Sequence, residues 1–174
     1  MKKNLFIYII PLLVATTWSC SRVKEETTQT QTAPASAAPA PETAVNQLPD
    51  LTLTKINRSQ LSARDLKGKV MLVYFDPDCD HCQEEAKLIQ ANLDAFKEYA
   101  LYFISSAPMS KMQQFAWDYK LAGPNVNLAY ATPENILRTF GPVQTPSIYI
   151  YSDTGKLVRA FNGQTPIEKI LPLL

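Results

Sequence analysis

The order of apolar and polar positions divides the chain into a polar leader and a patterned C-terminal part. Residues 70–75 (Val-Met-Leu-Val-Tyr-Phe) form an unbroken apolar run. Such a run reads as a central strand buried on both faces. Cys82, Ala86, Ile89, Leu93 and Phe96 then recur at spacings of three and four, which predicts an amphipathic helix over residues 80–99. Leu51, Leu53 and Ile56 suggest an earlier extended segment, followed by a turn at Asp65-Leu66-Lys67-Gly68-Lys69. Residues 101–105 read as a second strand, parallel to the first. Ser110 is placed to cap a helix whose face is Met112, Phe115, Ala116 and Tyr119, with Gly123-Pro124 as its stop.

Residues 126–130 read as a short strand. Thr132-Pro133-Glu134 has the cap, first-turn proline and acid of a helix start, and Gly141 marks the end of that helix. Residues 147–151 and 157–161 are two strands joined by the turn Asp153-Thr154-Gly155. Thr165-Pro166-Ile167-Glu168 predicts a capping box for a last helix that Pro172 cuts short. The order is βαβ, an extra helical segment, a β-hairpin and a final helix. It implies an α/β layered domain with a central mixed sheet flanked by helices.

The leader has a different character. Lys2 and Lys3 precede the apolar stretch 5–15, which is too short for a good membrane span, and small residues lead on to Cys20. An ordinary cleaved signal peptide or a poor membrane anchor accounts for this. A bacterial lipoprotein signal over residues 1–20, with Cys20 lipidated, accounts also for the position of the cysteine and is the expected reading. Residues 21–47 are rich in Thr, Gln, Ala and Pro and read as a disordered tether, since they have too little apolar surface to offset ordering entropy. The folded domain is expected over 48–174. Export places it in the cell envelope, facing the periplasm or the surface, where disulfides persist. The formal charge of +1 gives no sign of a nucleic-acid partner.

The chemistry concentrates at Cys79-Asp80-His81-Cys82, between the apolar strand and the helix. Two thiols on the first turn of a helix lie within reach of a disulfide. Unpaired backbone N–H groups and the positive end of the helix dipole favour a thiolate on Cys79. Cys79 is therefore the expected nucleophile, and Cys82, facing the core, the resolving thiol. A structural disulfide spanning two residues would close almost no loop. Zinc would need four ligands, and C-x-x-C-H haem attachment fails because residue 83 is Gln. No cofactor is expected beyond the redox-active Cys79–Cys82 disulfide, and no metal. Asp80 and His81 are expected to tune the pair in opposite senses. Imidazole can hydrogen-bond the Cys79 thiolate, while Asp80, Asp78 and Asp76 oppose it.

With these residues in view, the chain resembles the thioredoxin superfamily. More narrowly, it resembles the exported thiol-disulfide oxidoreductases of the TlpA/ResA type, a redoxin group similar to AhpC/TSA proteins. The stretches that carry the resemblance are Leu48-Pro49-Asp50-Leu51-Thr52-Leu53, Asp65-Leu66-Lys67-Gly68-Lys69-Val70, Phe75-Asp76-Pro77-Asp78-Cys79-Asp80-His81-Cys82, Gln144-Thr145-Pro146 and Asp153-Thr154-Gly155-Lys156. The resemblance implies a thioredoxin-like fold with an inserted helical segment over 109–121. It also implies a cis-proline turn at Thr145-Pro146 beside the CxxC, with the backbone of Thr145 offered to a substrate strand. Three positions depart from the family pattern: Asp78 replaces a tryptophan, Asp80 a proline, and Val73 the buried acid of thioredoxin. Glu84 or Glu85 could stand in for that acid, although both are expected to face solvent.

The function implied is reduction of protein or apocytochrome disulfides in the cell envelope. The implied partners are substrate protein disulfides and thiols, a membrane or envelope electron donor, and a membrane reached through the lipid anchor; a monomer is expected. The competing readings are a thiol peroxidase, a copper-handling module and a surface lipoprotein that keeps the scaffold only for binding.

Overall fold

The computed structural model describes residues 47–174. The expectations for the signal segment, Cys20 and nearly all of the tether fall outside the described residues. The elements are β1 (Thr52–Lys55), β2 (Gln60–Ser62), β3 (Lys69–Tyr74), α1 (Asp80–Ala91), β4 (Tyr99–Ser105), α2 (Met109–Asp118), β5 (Val126–Tyr130), α3 (Pro133–Phe140), β6 (Ser147–Tyr151), β7 (Leu157–Asn162) and α4 (Ile167–Ile170). Short 3-10 turns stand at Ala63–Asp65, Leu93–Phe96 and Leu171–Leu173.

The strands form one sheet in the order β2-β1-β5-β4-β3-β6-β7. β3, β4 and β5 are parallel, while β6 runs antiparallel to β3, and β1 antiparallel to β5. The apolar run of β3 serves both faces of this sheet. Met71 and Val73 pack with Cys82, Ile89, Phe103 and Phe115 on the side of α1 and α2. Val70 and Leu72 pack with Leu53, Ile104 and Ile136 on the side of α3. All four β3 positions are buried, each removing apolar surface worth about 1.5–3 kcal/mol for a large aliphatic side chain. The mixed sheet, the flanking helices and the helical insertion are those implied by the sequence.

Four helix boundaries differ from expectation. α1 ends at Ala91, where Asn92 turns its side-chain amide back to Leu88 O at 2.8 Å. The stripe continues through the Leu93–Phe96 3-10 turn, and residue 99 already opens β4. A 3-10 turn repeats every three residues, so its apolar spacing looks helical in sequence. α2 starts at Met109 after Pro108, with no side-chain cap, so Ser110 lies inside the helix. It ends at Asp118, ahead of Gly123, where Lys120 takes a positive φ of 51°. Thr165 likewise does not cap α4, because its N–H and hydroxyl are used elsewhere.

The topology fixes the two ends of the domain. In the β3–β6 register Tyr74 faces Ser147 and Val70 faces Tyr151. The CxxC therefore follows β3 at one end of the sheet, and the β6–β7 hairpin turn lies at the other. Gln47 bridges Lys156 in that turn, and Leu48 N–H donates to Gly155 O at 2.8 Å.

Candidate active site

The segment linking β3 to α1 is held by its own backbone. Phe75 N–H donates to Ile104 O at 2.9 Å, Asp76 Oδ1 accepts from Asp78 N–H at 2.9 Å, and Cys79 N–H donates to Asp76 O at 3.1 Å. Phe75 anchors it in the core against Phe103 and Phe115. This places Cys79 at the N-cap of α1 with extended backbone, φ −96° and ψ 119°.

Cys79 is half-buried and Cys82 is 2% exposed, both as free thiols. Cys79 Sγ accepts from Cys82 N–H at 3.4 Å and lies 3.6 Å from Thr145 O as a donor. Cys82 Sγ accepts from Asp76 N–H at 3.5 Å. Burial pushes the Cys82 thiol up to about 12; the Cys79 sulfur adds to the rise, and the Asp76 N–H opposes it. The pair is thus asymmetric, with one sulfur reachable at a helix N-terminus and the other in the core.

Thr145-Pro146 is a cis peptide bond, and Thr145 O faces Cys79 as the resemblance implied. Its loop is braced by β7. Asn162 Oδ1 accepts from Gln144 N–H at 3.1 Å and lies 3.0 Å from Ser147 Oγ, and Gly163 N–H donates to Pro146 O at 2.8 Å.

His81 and Glu85 depart from their expected places. The His81 ring does not bond Cys79; its Nδ1 lies 2.8 Å from Gln164 Oε1, in the loop between β7 and α4. Glu84 is exposed and pairs with Lys87 at 2.7 Å, as expected for a solvent-facing acid. Glu85, expected in solvent, is 1% exposed. Its Oε2 accepts from Thr165 N–H at 2.7 Å, and Oε1 has no partner among the described residues. Burial raises the Glu85 carboxyl to about 7, against the opposing pull of the Thr165 N–H. Val73 is apolar, and the buried acid of this region is on α1, one helical turn past Cys82. The signal was present: Cys82, Glu85, Ala86 and Ile89 share the three-and-four spacing of one stripe, and a carboxylate on an apolar stripe is buried with it.

The aspartates divide. Asp76 and Asp80 are exposed, and Asp78 forms an ion pair with Lys111 of α2. That pair borders a cavity of about 170 Å³ walled by Gln83, Phe115 and Tyr119, which lies beside the CxxC segment and is lined by neither of its cysteines. Among the described residues no three His, Cys, Asp or Glu side chains converge on a metal position.

Comparison with known proteins agrees with this geometry. The chain is 21% identical over 128 residues to the thiol-disulfide oxidoreductase ResA of Bacillus thuringiensis, covering 71% of this chain and 72% of that one. It superposes on a secreted Mycobacterium tuberculosis disulfide oxidoreductase homologous to E. coli DsbE with a TM-score of 0.61 and 18% identity, covering 71% and 93% of the two chains. A peroxiredoxin-like protein from Aquifex aeolicus superposes equally well, with a TM-score of 0.61, 10% identity and coverage of 75% and 87%. These structural likenesses establish a thioredoxin-like fold. The AhpC/TSA family model matches residues 44–160, well over half of the chain and including both cysteines and the cis-proline, and the protein therefore belongs to the AhpC/TSA family.

Proposed function

We propose that the protein is a thiol-disulfide oxidoreductase of the cell envelope that reduces protein or apocytochrome disulfides. The observation that carries this reading is the asymmetry of the two thiols. Cys79 is reachable at the N-cap with its sulfur facing Thr145 O, while Cys82 is sealed in the core with its proton held tightly.

In the first step the Cys79 thiolate attacks one sulfur of a substrate disulfide. A Cys79–substrate bond forms, the substrate S–S bond breaks, and the second substrate sulfur leaves as thiolate to be protonated from solvent. Cys82 then gives up its proton and attacks Cys79 Sγ. The Cys79–Cys82 disulfide forms and the remaining substrate thiol departs, so the pair has passed two electrons to the substrate. Glu85 is our candidate for the acceptor of the Cys82 proton, supported by its burial one turn along α1 and by a carboxyl that burial raises to about 7. An electron donor in the envelope restores the dithiol. The sequence of residues 1–20 supports export and an anchor on Cys20. The ResA and DsbE-like relatives support the oxidoreductase activity.

A peroxidase on the same fold would place a threonine three residues before the nucleophile. Here that residue is Asp76, whose carboxylate is engaged in the turn with Asp78 N–H. The test is reduction of insulin disulfides by the dithiol form. The wild type turns over, Cys79→Ser is inactive, and Cys82→Ser accumulates a mixed disulfide. Peroxide consumption that persists in Cys82→Ser, without insulin reduction by the wild type, overturns the reading. For Cys20 the test is labelling with a radioactive fatty acid, lost in Cys20→Ala.

A further inference from the structure

Four consecutive residues, Asn162-Gly163-Gln164-Thr165, connect the end of β7 to both halves of the site. Asn162 and Gly163 brace the Thr145-Pro146 loop, and Thr165 holds Glu85. Gln164 is the member that reaches the dipeptide between the cysteines, through the 2.8 Å contact of its Oε1 with His81 Nδ1. We propose that Gln164 is a positioning residue that sets the reduction potential of the Cys79–Cys82 pair by holding the His81 imidazole away from the Cys79 sulfur. This rests on the oxidoreductase reading of the site.

His81 is the only histidine of the chain. It is the second residue of α1, two positions after the N-cap Cys79. Side chains in a first helical turn lean toward the N-terminus. A ring free to rotate there has two acceptors to choose from: the Cys79 thiolate and the β7–α4 loop. The structure shows the second. With Oε1 of Gln164 at the ring, Nδ1 is the donor. The partners of Cys79 Sγ are Cys82 N–H and Thr145 O, with no imidazole among them. An imidazolium brought to that sulfur stabilises thiolate, hence the reduced form, and makes the couple more oxidising. Gln164 thus keeps the pair on the reducing side despite a histidine in its motif.

The prediction is an asymmetry between two single substitutions. While Gln164 is present the ring is already away from the sulfur, so His81→Ala leaves the couple nearly unchanged. Gln164→Ala frees the ring and shifts the couple. The measurement is the equilibrium dithiol + glutathione disulfide ⇌ disulfide + two glutathione thiols, read on the full-length protein by thiol trapping. It needs no protein substrate. Gln164→Ala is expected to lower the equilibrium constant for oxidation about tenfold, an increase of roughly 30 mV for this two-electron couple. His81→Ala stays within about twofold, and His81→Ala/Gln164→Ala returns to the wild-type value, a cycle that isolates the pairwise effect.

Disturbance of the neighbouring Thr165–Glu85 contact would instead shift the double variant as much as Gln164→Ala, and that result overturns the proposal. An unchanged constant in Gln164→Ala also overturns it while leaving the oxidoreductase reading intact. Failure of the wild-type cysteines to exchange with glutathione overturns both.

Discussion

Thr165 donates its backbone N–H to Glu85 Oε2 at 2.7 Å across eighty residues of sequence, tying the start of α4 to the helix that carries both cysteines. This is a single hydrogen bond to a carboxyl whose other oxygen is buried without a partner among the described residues. A carboxyl so placed is easier to bury neutral than charged, which is the physical cause of its rise to about 7.

The rise makes stability depend on pH. A carboxyl near 7 in the folded protein and near 4.5 when unfolded binds its proton more tightly in the fold. Its favourable contribution is complete below about pH 4.5 and is lost as pH rises through 7. The loss is on the order of 3 kcal/mol as an upper figure. Urea titrations at pH 5 and pH 8 are expected to show wild type losing more stability than Glu85→Gln over that interval. Parallel losses in the two proteins would falsify the assignment.

Cys82 is expected to resist modification in the reduced protein. At pH 8 a thiol near 12 is ionised in only about one molecule in 10⁴, and its sulfur is covered by the core. Brief treatment of the Cys20→Ala protein with iodoacetamide should add one label, and peptide mass analysis should place it on Cys79. Equal labelling of both cysteines would contradict the asymmetry on which the proposed reaction order depends.

Phe75 is the residue through which β3, β4 and α2 meet next to the site. It is 2% exposed, edge-on to Phe103 at 6.0 Å and tilted against Phe115 at 4.6 Å between ring centroids. Phe75→Ala is expected to cost about 3–5 kcal/mol in urea unfolding, as buried aromatic truncations do. Phe75→Leu should cost clearly less. A cost below about 1 kcal/mol for the alanine variant would show that the cluster is not tightly packed.

Tyr151 offers a prediction of opposite sign. It is fully buried in β6, and its hydroxyl has no hydrogen-bond partner among the described residues. A buried unpaired hydroxyl costs about 1–3 kcal/mol, so Tyr151→Phe should be neutral or stabilising by about 1 kcal/mol. A destabilisation above that size in thermal unfolding would reveal a hydroxyl partner.

Much of this architecture is written in local pattern. The buried run of β3, the Thr132 cap with Pro133 behind it, and the turn at Gly155 with φ 76° depend on neighbours a few residues away. The places of Cys79 at the N-cap and of Cys82 in the core are legible for the same reason, because both follow from adjacent positions at one helix start. Glu85 and His81 were misplaced because each is positioned by the loop at residues 164 and 165, some eighty residues downstream. Thr165 shows the same limit in reverse. Its capping sequence is a local signal, and a distant carboxylate took the N–H instead. Long-range hydrogen bonds of this kind leave no periodicity to read.

The bridge between Gln47 and Lys156 sets where the described chain enters the domain. It fastens the incoming chain at the pole of the sheet opposite the thiols, about 20 Å away along the six residues of β3. Gln47 therefore enters the fold at the heel, away from the end of the sheet where Tyr74 leads on to Cys79.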